Sequence, residues 1–248
     1  TIIIKGSIKK GINEDKIKGG LGKLSKEIND MGLQFGLWFE PEMVCPVSEL
    51  YEKYQDWCIH IPGRTRSEAR MQLILDLSRD DVCDYIIETL SKVLSSASIS
   101  YVKWDMNRNM TEIGSAKLPP ERQRELPHRY MLGLYRIMEE LTTAFPHILF
   151  ESCSGGGGRF DPGMLHYMPQ TWTSDNTDAI ERLKIQYGTS LVYPNVSMGC
   201  HVSAIPNHQV HRMTPLNTRG VVAMSGNFGY ELDINKMREA AEVLLGTQ

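Results

Sequence analysis

The sequence has little cysteine and none of it patterned. Cys45, Cys58, Cys83, Cys153 and Cys200 are odd in number, far apart and without a Cys-x-x-Cys pair, which excludes a disulfide framework and a cysteine zinc site and leaves reduced, buried thiols as the expectation. Long apolar runs are missing as well, so no membrane span is expected. Lys5, Lys9 and Lys10 interrupt the apolar start of residues 1–15, which does not read as a signal-peptide core, and the expected location is cytoplasmic. There is no basic tract: 27 Lys and Arg stand against 30 Asp and Glu, a net charge of -3, which argues against a nucleic-acid partner and for a neutral small molecule. Nucleotide loops are absent. Gly155–Gly158 fits no Gly-x-Gly-x-x-Gly register, and Gly19-Gly-Leu-Gly-Lys23 runs into Leu24 where a hydroxyl would be needed. His201, His208 and His211 have no zinc spacing and no carboxylate among them; loop histidines serving hydrogen bonds are expected, and no metal. Asn109-Met-Thr and Asn195-Val-Ser fit a glycosylation pattern short enough to arise by chance.

What is present suits one globular domain. A chain of 248 residues, 41% hydrophobic and 23% charged, is long and apolar enough for a sizeable core and has the size of an α/β barrel. Residues 1–20 hold one apolar run, Ile2–Ile4, and are otherwise unassigned. From Leu21 the spacing Leu21, Leu24, Ile28, Met31 predicts a helix stopped by Gly32, then a strand at 35–40. Residues 47–58 read as helical, 72–77 as a strand, and Ser78 as the cap of a helix whose stripe is Val82, Tyr85, Ile86, Leu90, Val93 and Leu94. A strand at 99–105 follows, then a helix carrying Tyr130, Leu134, Ile137, Met138 and Leu141. The rhythm continues with a strand at 148–153, a strand near 169–173, a helix at 178–187, a strand at 189–193, a strand at 221–225 and a closing helix from Asp233. Alternating strands and helices predict parallel pairing through right-handed crossovers. Six rim strands can be counted, and a closed (β/α)8 barrel needs eight; the other two come from residues 1–20, come from 72–77, or are missing.

Charged residues gather at strand ends. Period-two geometry puts Tyr101, Lys103 and Asp105 on one face of the strand at 99–105 and Val102 and Trp104 on the other. The C-terminal ends of parallel strands are where α/β folds bind ligands, although an isolated Lys-x-Asp is more often an ordinary ion pair. Two further stretches, Ile148–Arg159 and Trp172–Asp178, also look like strands ending in polar residues. Convergence on one rim would bring Asp105, Cys153 and Asp175 around a single cavity. Trp38 and Trp172 lie near strand ends beside Glu40 and Asp175, placed either to cover a sugar ring or to pack in the core. Arg64, Arg66 and Arg70 read as surface ion-pair donors. Glu40 and Glu42 are either further site carboxylates or orient those arginines. Gly155–Gly158 allows close backbone approach to a ligand, or is a flexible connection.

Trp38-Phe-Glu-Pro-Glu-Met43, Pro62-Gly-Arg-Thr-Arg66, Lys103-Trp-Asp-Met-Asn-Arg108, Glu151-Ser-Cys-Ser-Gly-Gly-Gly-Gly-Arg159 and Thr173-Ser-Asp-Asn-Thr-Asp178 together resemble, in order, the motifs of glycoside hydrolase family 36 α-galactosidases. The likeness runs from about residue 21 to 231 and includes His201–Gln209. It implies a (β/α)8 TIM-type barrel, with residues 21–248 as the catalytic barrel portion. It also implies a retaining hydrolase that releases terminal α-linked galactose from melibiose or raffinose-type sugars. Asp105 would be the nucleophile and Asp175 the general acid/base. Trp38, Arg66, Lys103, Asn107, Cys153, Gly156 and Trp172 would line the sugar subsite. Lys103 is expected to keep Asp105 ionised, and a less solvated position to hold Asp175 protonated. No cofactor is implied, and the family often forms homotetramers. The family's Asp-Asp-Gly-Trp element has no counterpart between Thr1 and Gly20, so the first one or two barrel strands are expected to be missing. A galactosyl-transferring relative and a catalytically silent sugar-binding fragment are the alternative readings.

Overall fold

A computed structural model of the chain describes residues 2–5 and 17–233. These divide into two compact units, the first made of the described residues up to Gly155 with Asp161–Pro169 and the second of Gly156–Phe160 with the described residues from Gln170 on.

The first unit contains β1 (Ile2–Lys5), α1 (Gly20–Asp30), β2 (Phe35–Phe39), β3 (Met43–Val44), α2 (Glu49–Lys53), β4 (Leu73–Ile74), α3 (Asp80–Leu94), β5 (Tyr101–Trp104), α4 (Leu126–Ala144), β6 (Leu149–Ser152) and α5 (Pro162–Tyr167). Strands β1, β2, β5 and β6 lie side by side in that order and are all parallel. The register aligns Trp38 with Lys103 and Lys103 with Glu151, so three polar or aromatic side chains form one row across the sheet. The helices explain why the sheet is covered. α3 buries Val82, Cys83, Ile86, Leu90 and Leu94, and α4 buries Leu126, Tyr130, Leu134, Ile137, Met138 and Leu141. Each such large side chain contributes roughly 1.5–3 kcal/mol on burial. Gly32 ends α1 with φ 76°, its amide donating to Asn29 O at 2.8 Å while Leu33 N reaches Ile28 O at 3.2 Å, a left-handed closure that glycine adopts without strain.

The second unit contains β7 (Gln170–Trp172), α6 (Ala179–Ser190), β8 (Met198–Ser203), α7 (Leu216–Ala223) and β9 (Asn227–Glu231). Its three strands are parallel, in the order β7, β8, β9. Asp178 caps α6 by accepting from Glu181 N at 3.1 Å.

The α/β class and the parallel pairing agree with the sequence reading, and several elements do not. Residues 189–193 are no strand: α6 runs through Ser190, and Thr189 Oγ1 donates back to Ile185 O at 2.8 Å. Residues 221–225 fall at the end of α7, with Val222 and Ala223 buried and Val221 exposed, and the strand comes after Gly226. Met198–Ser203, read as loop, is β8. Short apolar runs do not distinguish strand from helix, and packing decided here. Residues 72–77 supply no parallel strand, because β4 pairs antiparallel with β3 in a separate ribbon; Ile2–Lys5 supplies one instead. Ser78 caps nothing, since its hydroxyl donates to Asp76 Oδ1 at 2.6 Å and the N-cap of α3 is Arg79. The helix expected at 47–58 breaks into α2, capped by Ser48, and a 3-10 turn at Gln55–Trp57. The closing helix from Asp233 lies outside the described residues.

Candidate active site

Asp105 follows β5 directly and is buried. Its Oδ1 accepts from the Met106 amide at 2.9 Å. Its Oδ2 accepts from Trp38 Nε1 at 3.1 Å and from Asn107 Nδ2 at 2.7 Å. Trp38 reaches it because the parallel register pairs Trp38 with Lys103, and Asp105, two residues further along the direction of β5, keeps the same face. Asn107 also donates to Glu40 Oε1 at 2.5 Å, and Glu40 Oε2 accepts from Gln72 Nε2 at 2.9 Å. Carboxylates only accept, so the two anions fix which end of the Asn107 amide faces them. A cavity of about 560 Å³ lies beside this cluster, lined by Trp38, Glu40 and Gln72 together with Leu50, Tyr85 and Leu90; Asp105 itself does not line it. Arg70 stands 4.0 Å from Glu40 at its edge.

Lys103 serves a different anion from the one expected. Its Nζ lies 3.1 Å from Glu151 Oε1, the neighbour across β6, and the Tyr101 hydroxyl donates to Glu151 Oε2. The shared face of Tyr101 and Lys103 is as expected. Burial first, and the Glu151 charge second, push the Tyr101 phenol well above its ordinary range. Cys153 directly follows β6, two residues beyond Glu151, and is buried, with its amide donating to Trp104 O at 2.7 Å. Arg66 donates to the Tyr51 hydroxyl at 2.9 Å and approaches His60 Nδ1 at 3.5 Å, so its contacts are with the α2 side of the unit. Glu42 is fully buried and accepts from Trp104 Nε1 at 2.8 Å and Tyr130 Oη at 2.5 Å.

The second unit carries Asp175, three residues beyond β7. Asp175 is exposed, contrary to the expectation of a shielded carboxyl, because it sits on the loop between β7 and α6. Its Oδ1 accepts from Trp172 Nε1 at 3.2 Å. Trp172 is 3% exposed; the imidazole of His201 stacks on it at 4.6 Å and the Arg182 guanidinium lies 4.0 Å from its ring centre. His201 is therefore a β8 residue packed on Trp172 and not a loop histidine. Gly156 has φ 81°, and a Cβ there would meet Ser174 Cα at 2.9 Å and Asp175 N at 3.0 Å. Gly157 N donates to Thr173 O at 3.1 Å. The glycines thus let the backbone pack against the loop that presents Asp175. Asp178 pairs with Arg212, and Asn207 Nδ2 donates to Thr177 Oγ1 at 3.0 Å.

Sequence reasoning missed Gln72 and Arg182. Gln72 carried no signal. Arg182 did, since it is four residues past the capping Asp178 and so falls on the helix face turned back toward β7.

Within the first unit a buried carboxylate is held at a parallel strand end by indole and amide donors, and within the second an exposed carboxylate accepts from an indole N–H; strand ends of this kind are where α/β folds place reactive side chains. A family model described as Melibiase matches residues 9–248, and the chain belongs to that family. It is 71% identical over 237 residues to α-galactosidase AgaA of Geobacillus stearothermophilus, a match covering 96% of this chain and 32% of that protein. Against α-galactosidase Mel36A of Lactobacillus acidophilus it is 53% identical over 228 residues, 92% of this chain and 31% of that protein. The crystal structure of AgaA, a GH36 α-galactosidase, matches with a TM-score of 0.92 at 72% identity over 94% of this chain and 33% of that one. A variant of AgaA in complex with raffinose matches with a TM-score of 0.89 at 74% identity, over 91% of this chain and 31% of that one. The chain spans about a third of the length of the curated relatives it matches.

Proposed function

We propose that this chain is the catalytic portion of a retaining α-galactosidase acting on raffinose-type sugars and melibiose, built on a (β/α)8 TIM-type barrel of which residues 21–248, with the Ile2–Lys5 strand, form a section. The observation that carries the reading is the Asp105 carboxylate, immobilised by three hydrogen bonds from Met106, Trp38 and Asn107 at the C-terminal end of a parallel strand. Those donors hold the carboxylate oxygens in a fixed direction, as a nucleophile needs. Asp105 attacks the anomeric carbon and forms a glycosyl ester, while Asp175 gives its proton to the departing glycosidic oxygen. Asp175 then takes a proton from water, whose oxygen attacks the same carbon, breaks the ester and frees galactose with its α configuration. Lys103, Arg66 and Cys153 bind sugar hydroxyls beside Trp38 and Asn107. Support for the substrate class comes from the raffinose complex of the AgaA variant and from an AgaA variant in complex with stachyose. The assembly is a homotetramer in the cytoplasm.

The test is proton NMR of raffinose cleavage by the full-length protein. α-Galactose appearing first and subsequently mutarotating, with Asp105→Ala inactive, is the expected result. β-Galactose as the first product would mean inversion, for which the carboxyls must stand about 6.5–9.5 Å apart instead of 5–5.5 Å, and would overturn the mechanism. Galactose binding without turnover would mark a silent sugar-binding protein.

A further inference from the structure

Helix α6 is built inside out. It buries Ala179, Arg182 and Gln186, while Ile180, Leu183 and Tyr187 are exposed. A guanidinium that is 3% exposed is strongly unfavourable unless its donors are used, and two of those of Arg182 go to one short stretch. Nη1 donates to Thr173 Oγ1 and Nη2 to Ser174 O, each at 2.7 Å, and Cζ stands 4.0 Å from the Trp172 ring centre. Arg182 therefore touches three consecutive residues, and the fourth is Asp175, whose carboxylate hangs from the Trp172 indole N–H at 3.2 Å. His201 adds a stacked imidazole at 4.6 Å and 26°, so the indole has little freedom to turn.

We propose that Arg182 is a positioning residue for the Asp175 carboxyl, and that Trp172 is the bracket through which it acts rather than a platform for the sugar ring. A planar cation that hydrogen-bonds the loop through one edge and covers the indole with its face fixes both supports of Asp175 at once, which a lysine ammonium cannot do. The proposal rests on Asp175 being the acid/base of the site.

The experiment compares raffinose with an aryl α-galactoside whose phenolate leaves without protonation, using the full-length enzyme and its Arg182→Lys, Trp172→Phe and Asp175→Ala variants. A misplaced acid/base slows only steps that need its proton. Arg182→Lys and Trp172→Phe should each lower kcat/KM for raffinose about 100-fold, the scale of a displacement near 1 Å, and lower it for the aryl substrate less than about 10-fold. Azide should accelerate turnover of the aryl substrate by replacing the base-assisted water. Trp172→Phe keeps the stacked ring and loses only the N–H, so it carries the test if Arg182→Lys fails to fold. Equal losses on both substrates, tracking a lowered unfolding temperature, would reduce Arg182 to a structural residue and overturn the proposal. If Asp175→Ala itself shows no difference between leaving groups, the acid/base assignment fails; if it does while both other variants do not, only the positioning role fails.

Discussion

Asn107 donates through its side-chain amide to Asp105 Oδ2 at 2.7 Å, and the same nitrogen donates to Glu40 Oε1 at 2.5 Å. Both amide hydrogens are thus committed to anions, and Asn107 holds the proposed nucleophile as a strut.

Replacing Asn107 with alanine should therefore affect chemistry more than binding. The expected outcome is a fall of about 100-fold in kcat, similar for raffinose and for an aryl α-galactoside, because the nucleophile acts on both. Asn107→Asp should do worse, since it places a like charge between two carboxylates. Steady-state kinetics on both substrates checks this, with a thermal melt to confirm folding.

Two glycines should respond in opposite ways to a single methyl group. Gly156→Ala must relieve a Cβ at 2.9 Å from Ser174 Cα and adopt φ 81°, at about 1–2 kcal/mol for the left-handed backbone alone. Because the obstructing atoms belong to the loop of Asp175, kcat/KM should fall about 100-fold. Gly188→Ala in α6 meets nothing within 4 Å and should stabilise the helix by up to about 1 kcal/mol. Urea titrations and raffinose kinetics on the two variants decide it.

The ion pair at the start of α3 sets a pH dependence. Hydrogen bonding to Arg79 holds the Asp81 carboxyl below its ordinary value, with Arg79 Nη2 at 2.8 Å. A depressed carboxylate contributes stability that is fully present above its unfolded value of about 3.9 and is lost as pH falls through its lower folded value. Asp81 is 43% exposed, so the contribution is under about 1 kcal/mol. Asp81→Asn should lower stability at pH 7, and the difference from wild type should shrink below about pH 4. Denaturant unfolding at pH 7 and pH 3 tests the sign.

All five cysteines are free and buried, and burial pushes the Cys58 and Cys83 thiols up to about 12. Thiolate is the reactive form, so iodoacetamide at pH 8 should leave both unmodified in the folded protein and label them in guanidinium. Peptide mass spectrometry reads the outcome; rapid labelling of the folded protein would contradict the burial.

The strand ends were legible in the sequence wherever a β run met charge. Period two correctly put Tyr101 and Lys103 on one face, and the long helical stripes of α3 and α4 were plain because an amphipathic period of 3.6 persists over several turns. Short elements were not legible: Met198–Ser203 and Leu216–Ala223 carry similar apolar runs, and only burial separated strand from helix. The partners of the charged residues were equally hidden. Lys103 sits two residues from Asp105 yet pairs with Glu151, 48 positions away, at 3.1 Å, because a side chain in a sheet meets its lateral neighbour more readily than its own strand.

The sequence by itself determined the alternation of strands and helices, the reduced thiols and the family, because these reside in local periodicity and in contiguous motifs. Only the tertiary structure decided that Trp38 reaches Asp105 and that Asn107 bridges Asp105 to Glu40, that Glu42 turns into the core, and that a buried arginine grips the loop of Asp175. Each of those joins groups set far apart in sequence or on different elements, and a hydrogen bond of about 3 Å depends on where the packing brings two side chains, not on how far apart they stand in the chain.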